Sequence, residues 1–280
     1  ESSKLKDPDY RNQFHHFVFV SNWQYERYRI VLGFPYSEKS SVIPVGISPA
    51  KITEIQKPTD KIKLVYTSTP QRGLDILLAT FDAITKNRPE LPVELDVFSS
   101  FKIYGWPQQD EIFKPLFDFA KSHPKINYKG FVPNKELLDS LNKSHIFAYP
   151  STWAETSCRA LTEAMSAQLI CVHPNFGALP ETSCGQTLMY DGDSDKTVHS
   201  KLFYVALENA IELCLDKDPE AVRRRQTYLN TNKYHTDFVY NVNKTAHIWS
   251  NLIANLRDRY PNEGTRAIPK AVGPVFKYKV

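Results

Sequence analysis

The chain alternates short apolar runs with longer segments in which apolar positions recur every three or four residues. Short apolar runs bounded by turn residues read as buried strands, and the 3.6 period reads as helices packed on them. Residues 15–20 (HHFVFV) read as a strand, 22–32 as a helix that Gly33 ends, and 41–47 as an extended run broken by Pro44 and Gly46. From Lys61 the alternation is regular. Strands are predicted over 62–66, 93–98, 126–128, 145–149, 169–173 and 187–190. Helices are predicted over about 73–86, 111–122, 135–141, 157–167, 196–215 and 236–256. Residues 1–13 are polar and read as loose, 49–60 as a linker, and 261–280 as an extended tail rich in Pro, Gly and charge.

Strands that alternate with helices imply parallel strands joined by crossovers, so the fold class is α/β with a Rossmann-like doubly wound parallel sheet. In such sheets ligands bind at the carboxyl ends of the strands. The loops after Tyr66, Phe98, Tyr128, Tyr149 and His173 are therefore where chemistry is sought.

Composition narrows the picture. The chain has 280 residues, 41% of them hydrophobic, enough for a sizeable core. Its net charge of +4 is too small and too dispersed for nucleic acid. It suits phosphorylated ligands or peripheral contact with an anionic membrane surface. The dense basic run Arg223-Arg224-Arg225 reads as a solvated helix face. Four cysteines, Cys158, Cys171, Cys184 and Cys214, form no CxxC pair and no zinc spacing, which fits free thiols in a reducing, cytoplasmic compartment. No apolar stretch reaches transmembrane length and no signal peptide is visible. The first residue is Glu, so the chain is expected to be cut or to begin within a larger protein.

The strongest chemical signal follows Tyr149. A loop, 150–154, leads to Glu155, and seven residues later comes Glu163. With a helix starting near Ser157, Glu155 can accept hydrogen bonds from sugar hydroxyls at the helix mouth. The N–H groups near Cys158, Arg159 and Ala160 form an anion site. Glu163, further along, can accept from a vicinal diol. The plainer reading is that Glu155 stabilises the helix dipole and Glu163 is solvated.

The run Glu155-Thr-Ser-Cys-Arg-Ala-Leu-Thr-Glu163-Ala-Met resembles the E-x7-E motif of family 4 glycosyltransferases. Gly177-Ala-Leu-Pro-Glu181 resembles the Gly-x-Pro-Glu turn that follows it. Residues 41–47 resemble the segment that ends that family's first domain, Phe19 to Trp23 the strand end before it, and Tyr66 to Leu74 the donor-phosphate loop. The five elements come in the family's order over about residues 14–258.

The resemblance implies a GT-B fold: two Rossmann-like domains facing across a cleft, with retention of anomeric configuration. The donor is a nucleoside-diphosphate sugar carrying UDP or GDP, and neither metal nor other cofactor takes part. It divides the chain into residues 1–47, the end of an acceptor-side domain; 48–235, the nucleotide-sugar-binding domain; and 236–280, a crossover helix and tail. It implies that Glu155 touches the transferred sugar and Glu163 the ribose. Arg72, with Ser68, Thr69, Ser157, Cys158, Arg159 and Ala160, would lie around the diphosphate, and Gly130, Phe131 and Val132 along the base.

Three features depart from the family pattern. The second phosphate Arg is absent near Ser68, and Arg159 is the candidate to replace it. Gln168 stands where a Gly usually turns the chain. One strand-helix unit precedes Pro44 in place of a whole domain, and neither His15 nor His16 can be assigned that domain's cleft histidine. Asp191-Gly-Asp-Ser-Asp195 looks like a metal-binding D-x-D run, but reads better as a helix cap at Ser194 or Asp195. Two alternatives stand beside an active transferase whose acceptor is unidentified: a donor-binding module without turnover, and a nucleotide-sugar epimerase of the same fold.

Overall fold

The computed structural model describes residues 2–51 and 57–261. The first residues are more ordered than expected. A 3-10 turn, Ser2–Lys6, leads into a short helix, α1 (Pro8–Arg11), which Asp7 caps through the Asp9 N–H at 2.9 Å and Pro8 opens. Much of the 49–60 linker and nearly all of the expected tail lie outside the described residues.

The amino-terminal unit is a β-α-β turn of chain. β1 (Phe17–Phe19) and β2 (Ser40–Val42) pair in parallel, and α2 (Asn22–Leu32) connects them. Ser21 caps α2 by accepting from the Gln24 N–H at 3.0 Å, while the Gln24 side chain returns to the Val20 N–H at 2.9 Å, a close relative of the capping box. Gly33, at φ +63°, ends the helix in the left-handed conformation that glycine adopts without penalty. Phe17, Phe19, Tyr25 and Phe34 pack ring to ring at 4.7–5.6 Å between centroids and form a small aromatic core.

The main body is a six-stranded, wholly parallel sheet. Its strands are β3 (Ile62–Thr67), β4 (Val93–Phe98), β5 (Ile126–Tyr128), β6 (Ile146–Ala148), β7 (Ile170–Pro174) and β8 (Leu188–Tyr190), in the order β5-β4-β3-β6-β7-β8. Helices cover both faces: α3 (Leu74–Asn87), α4 (Lys114–Ser122), α5 (Asn134–Asn142), α6 (Arg159–Ser166), α7 (Leu179–Ser183), α8 (Lys196–Leu215) and α9 (Pro219–Val239). Burial on both faces is why β6 and the first three residues of β7 read as apolar runs rather than alternating ones; every residue of both strands, His173 included, is buried. Leu64, Leu77, Phe81, Phe147 and Phe203 are among the side chains with no exposed surface. Burial of each such side chain stabilises the fold by about 1.5–3 kcal/mol. β3 lies in the middle of the sheet. The chain winds outward from it through β4 and β5, then returns to β3's other side at β6. The switch point, where such sheets open a crevice, therefore lies between the ends of β3 and β6.

The sequence-based helix bounds are off by one residue at each end of α3 and α5 and differ further in three places. The helix after Glu111 begins at Lys114, after a 3-10 segment Pro107–Phe113. The helix after Ser157 begins at Arg159, with Cys158 as N-cap. The single helix expected over 236–256 is two: α9 runs through Thr236 to Val239, and α10 (Val242–Arg259) starts afresh with Asn241 as N-cap. The break falls where the chain bridges to Ile47: Ile47 N–H donates to Tyr240 O at 2.7 Å and Val242 N–H to Ile47 O at 2.9 Å. α10 then runs along the amino-terminal unit. Gly46 leaves no room for a side chain against Val242, and the rings of His15 and Tyr260 lie 4.3 Å apart. The apolar face expected to bury there is only half used: Trp249 and Ile253 remain exposed, while Thr245 is buried and Ile248 and Leu252 are partly so.

Candidate functional site

Two loops meet at the switch point. The loop after β3 carries Ser68, Thr69, Gln71 and Arg72, and it closes on Gly73 at φ +91°. A Cβ at Gly73 would stand 2.0 Å from the Pro150 carbonyl oxygen, so only glycine lets this loop lie against the loop after β6. That contact brings Arg72 to Glu155, with Arg72 Nη1 donating to Glu155 Oε1 at 2.8 Å. The Tyr149 hydroxyl donates to the same oxygen at 2.6 Å. Glu155 is 4% exposed, and burial raises its carboxyl above the usual range, with Arg72 and the Tyr149 hydrogen bond opposing that rise.

The backbone of Glu155 is equally constrained. Its carbonyl accepts from Ala178 N–H at 2.7 Å, and Gly177, at φ +59°, sits where a Cβ would lie 2.5 Å from that oxygen. The Gly177-Ala-Leu-Pro-Glu181 turn is thus seated directly on the residue it follows in the motif order.

α6 leads away from the same crevice. Cys158 forms no side-chain cap, and its buried thiol is pushed well up in pKa by burial, so it is inert as a nucleophile. Ser157 precedes this N-cap rather than entering the helix, and Ala160 packs against the core. Glu163 is buried, not solvated, and burial raises its carboxyl while Arg159 opposes the rise. Arg159 Nε donates to Glu163 Oε1 at 2.8 Å. Each motif carboxylate is therefore held by one arginine, and Arg159, the candidate second phosphate ligand, is turned to Glu163.

Buried side-chain polar atoms normally have a partner. Thr67 Oγ1, Thr69 Oγ1, Gln71 Oε1, Arg72 Nε and Ser99 Oγ are buried with none, and all five belong to the ends of β3 and β4 or the loops that follow. The crevice wall therefore offers donors and acceptors with unused capacity. Gly130, Phe131 and Val132 follow β5, the edge strand two places from β3. Gly130 takes φ +63°, Phe131 is exposed and Val132 packs on the core.

The acidic run 191–195 serves local structure. Asp191 accepts from the Asn175 amide, Asp193 from the Asp195 N–H, and Asp195 caps α8 through Thr197 N–H at 2.7 Å. Among the described residues, no group of three His, Cys, Asp or Glu side chains is placed to hold a metal ion. No described helix is long and apolar enough to cross a membrane.

Tyr149, Gln71 and Ser99 carry no role in the sequence-based site, and Glu181 enters it only as the end of the Gly-x-Pro-Glu turn. Ser99 and Tyr149 stand at strand ends already marked as ligand-facing, so that signal was present. The Glu181 carboxylate reaches α2, 159 residues earlier in the chain, and no local pattern announces such a contact.

A six-stranded parallel sheet wound both ways from a central strand, with helices on both faces, matches the α/β fold of GT-B glycosyltransferases. The profile of the family described as glycosyl transferases group 1 matches residues 49–193, and the chain belongs to that family. Several solved structures share the fold. A glycosyltransferase from Rickettsia africae has a TM-score of 0.70 at 11% identity, over 91% of this chain and 68% of that one. Sucrose-phosphate synthase from Thermosynechococcus elongatus has 0.68 at 14%, over 92% and 61%. Anabaena HepE, solved with UDP and glucose, has 0.64 at 14%, over 91% and 68%. The chain thus spans about two thirds of the length of these structures. No curated protein matches the sequence.

Proposed function

We propose that the crevice between β3 and β6 binds a nucleoside-diphosphate sugar, and that the chain is the donor-side part of a retaining, metal-independent glycosyltransferase with the E-x7-E arrangement of family 4. The observation that carries this reading is the meeting of Arg72 and Glu155 at the switch point, beside the uncapped start of α6. Arg72 and the N–H groups near Cys158, Arg159 and Ala160 take the diphosphate, with Ser68, Thr69 and Ser157 at its margin. A helix N-terminus and a guanidinium both favour anions, and guanidinium binds phosphate bidentately. Glu163 takes the ribose hydroxyls, and Gly130, Phe131 and Val132 line the base.

Without a ligand, Arg72 neutralises Glu155. A phosphate that recruits the guanidinium leaves the Glu155 carboxylate free to accept from a hydroxyl of the transferred sugar, the group it then orients for reaction. HepE is a fold relative seen with UDP, so a UDP-sugar is the first donor to test and a GDP-sugar the second. The sequence-based division at about residues 47 and 235 places the donor site wholly in the middle part, and a cytoplasmic location suits four free thiols. The second reading is a donor-binding module that does not turn over alone, and assay of sugar release or transfer from UDP-glucose separates the two. Calorimetric titration with UDP and with GDP tests the proposal. One of them is expected to bind the wild type, with at least tenfold weaker binding in Glu163→Ala. Binding of neither would refute the donor site.

A further inference from the structure

The amino-terminal unit is fastened to the crevice at two points, and both involve the start of α2. The Ser21 hydroxyl donates to the carbonyl oxygen of Thr156 at 2.6 Å. One residue on, the Glu181 carboxylate spans the first turn of α2. Its Oε1 accepts from Asn22 N–H at 2.8 Å and from the Asn22 side-chain amide at 2.9 Å, and its Oε2 accepts from Trp23 N–H at 2.7 Å.

These contacts close a ring. Glu155 holds Ala178 by its carbonyl, Gly177 sits on the Glu155 backbone, and the turn carries Glu181 to α2. Ser21, at the cap of α2, then returns to Thr156, the residue after Glu155. The first N–H groups of a helix have no partner within it, and a carboxylate placed there satisfies them and complements the dipole. Glu181 supplies that carboxylate from 159 residues further along the chain. Asn22 is exposed, so this contact does not serve to fill a core.

We propose that Glu181 is a positioning residue: it docks α2, and with it the amino-terminal unit, against the Glu155 loop, and so fixes the sugar end of the crevice. The positioning part rests on the donor-site reading above. The diphosphate and ribose positions in that reading depend on Arg72, α6 and Glu163, whereas the hydrogen bonds of the Glu181 carboxylate go to Asn22 and Trp23. Loss of the clasp therefore affects a sugar nucleotide more than the bare nucleotide.

The test uses Glu181→Ala and Glu181→Gln in the full chain, with two readouts. The first is amide hydrogen exchange at Asn22 and Trp23. These first-turn amides have Glu181 as their partner, so their exchange reports the clasp directly. Exchange is expected to quicken at least tenfold in Glu181→Ala and less in Glu181→Gln, which keeps one acceptor oxygen. The second is affinity for UDP and for UDP-glucose. UDP is expected to stay within about twofold of wild type, UDP-glucose to weaken at least fivefold in Glu181→Ala, and Glu181→Gln to recover part of that loss. Unchanged exchange overturns the docking. Equal losses for both ligands overturn the positioning role, since general loosening acts on both. If wild type binds neither ligand, the donor reading fails, and exchange at Asn22 and Trp23 still upholds or overturns the docking on its own.

Discussion

Replacing Arg72 by alanine leaves Glu155 buried with one partner, the Tyr149 hydroxyl. Breaking a buried ion pair by removing one member costs about 3–5 kcal/mol, because the remaining charge is uncompensated. The Arg72 side chain is 23% exposed and that of Glu155 5%, so water screens the pair slightly and the low end, about 3 kcal/mol, is the expected loss of stability at pH 7. The loss also carries a pH signature. Burial already raises the Glu155 carboxyl, and without Arg72 it rises further. A carboxyl whose folded pKa exceeds its unfolded value destabilises the fold as pH rises through that interval, because the unfolded state gives up its proton first. The deficit of Arg72→Ala is therefore largest at neutral pH and shrinks as pH falls through the ordinary carboxyl range, where Glu155 takes up its proton in the unfolded state as well. Urea denaturation of wild type, Arg72→Ala, Glu155→Gln and the double variant at pH 7 and pH 4.5 measures it. Glu155→Gln is expected to restore most of the stability that Arg72→Ala removes. A deficit independent of pH, and not relieved in the double variant, would refute the reasoning and place the cost in lost packing by the Arg72 stem.

Other consequences follow from the same structure. Gln168 holds φ +57° at the turn between α6 and β7, a conformation that costs a non-glycine residue about 1 kcal/mol, so Gln168→Gly is expected to raise the urea midpoint, and a lowered midpoint would contradict this. His173 is fully buried, and burial lowers its pKa to about 4. It stays neutral in the fold while the unfolded chain protonates near pH 6.5, so stability should fall by about 3 kcal/mol between pH 6.5 and 4, and His173→Gln should lose that share of the slope. His145, also lowered to about 4 by burial, acts in the same direction. Among ligand effects, Glu163→Ala is expected to weaken UDP itself by the value of a charged hydrogen bond, about 1.5–3 kcal/mol, whereas Glu155→Ala should spare UDP and weaken UDP-glucose. Equal losses for both ligands in both variants, measured by calorimetry, would contradict the roles assigned.

The parts of this structure that follow from local chemistry were legible in the sequence. β4 and α8 match their expected bounds, because Val93, Leu95 and Val97 alternate with acidic residues as a strand's period demands and because Asp195 announces a helix start. Gly33 and Gly177 mark backbone conformations that few other residues adopt, and their positions located one helix end and one wall of the crevice. The break between α9 and α10 was not legible. No glycine or proline interrupts 236–256, and the chain turns there because Ile47, far away in sequence, bridges to Asn241. The start of α9 does carry a local signal, Asp218-Pro219, an N-cap followed by proline. In the crevice, the E-x7-E spacing pointed to Glu155 and Glu163, but not to their burial or to the arginines that hold them. Those pairings depend on which strands the topology makes neighbours.

The central claim is that a diphosphate sits between Arg72 and the start of α6. Titrating wild type, Arg72→Lys and Arg72→Ala with UDP and with UMP tests it most directly. The expected result is a loss of at least tenfold in UDP affinity for Arg72→Ala, a change within about threefold for UMP, and retention of much of the UDP affinity in Arg72→Lys, in line with one charged phosphate contact. UDP affinity unchanged in Arg72→Ala would contradict the account and put the phosphate site elsewhere on the sheet.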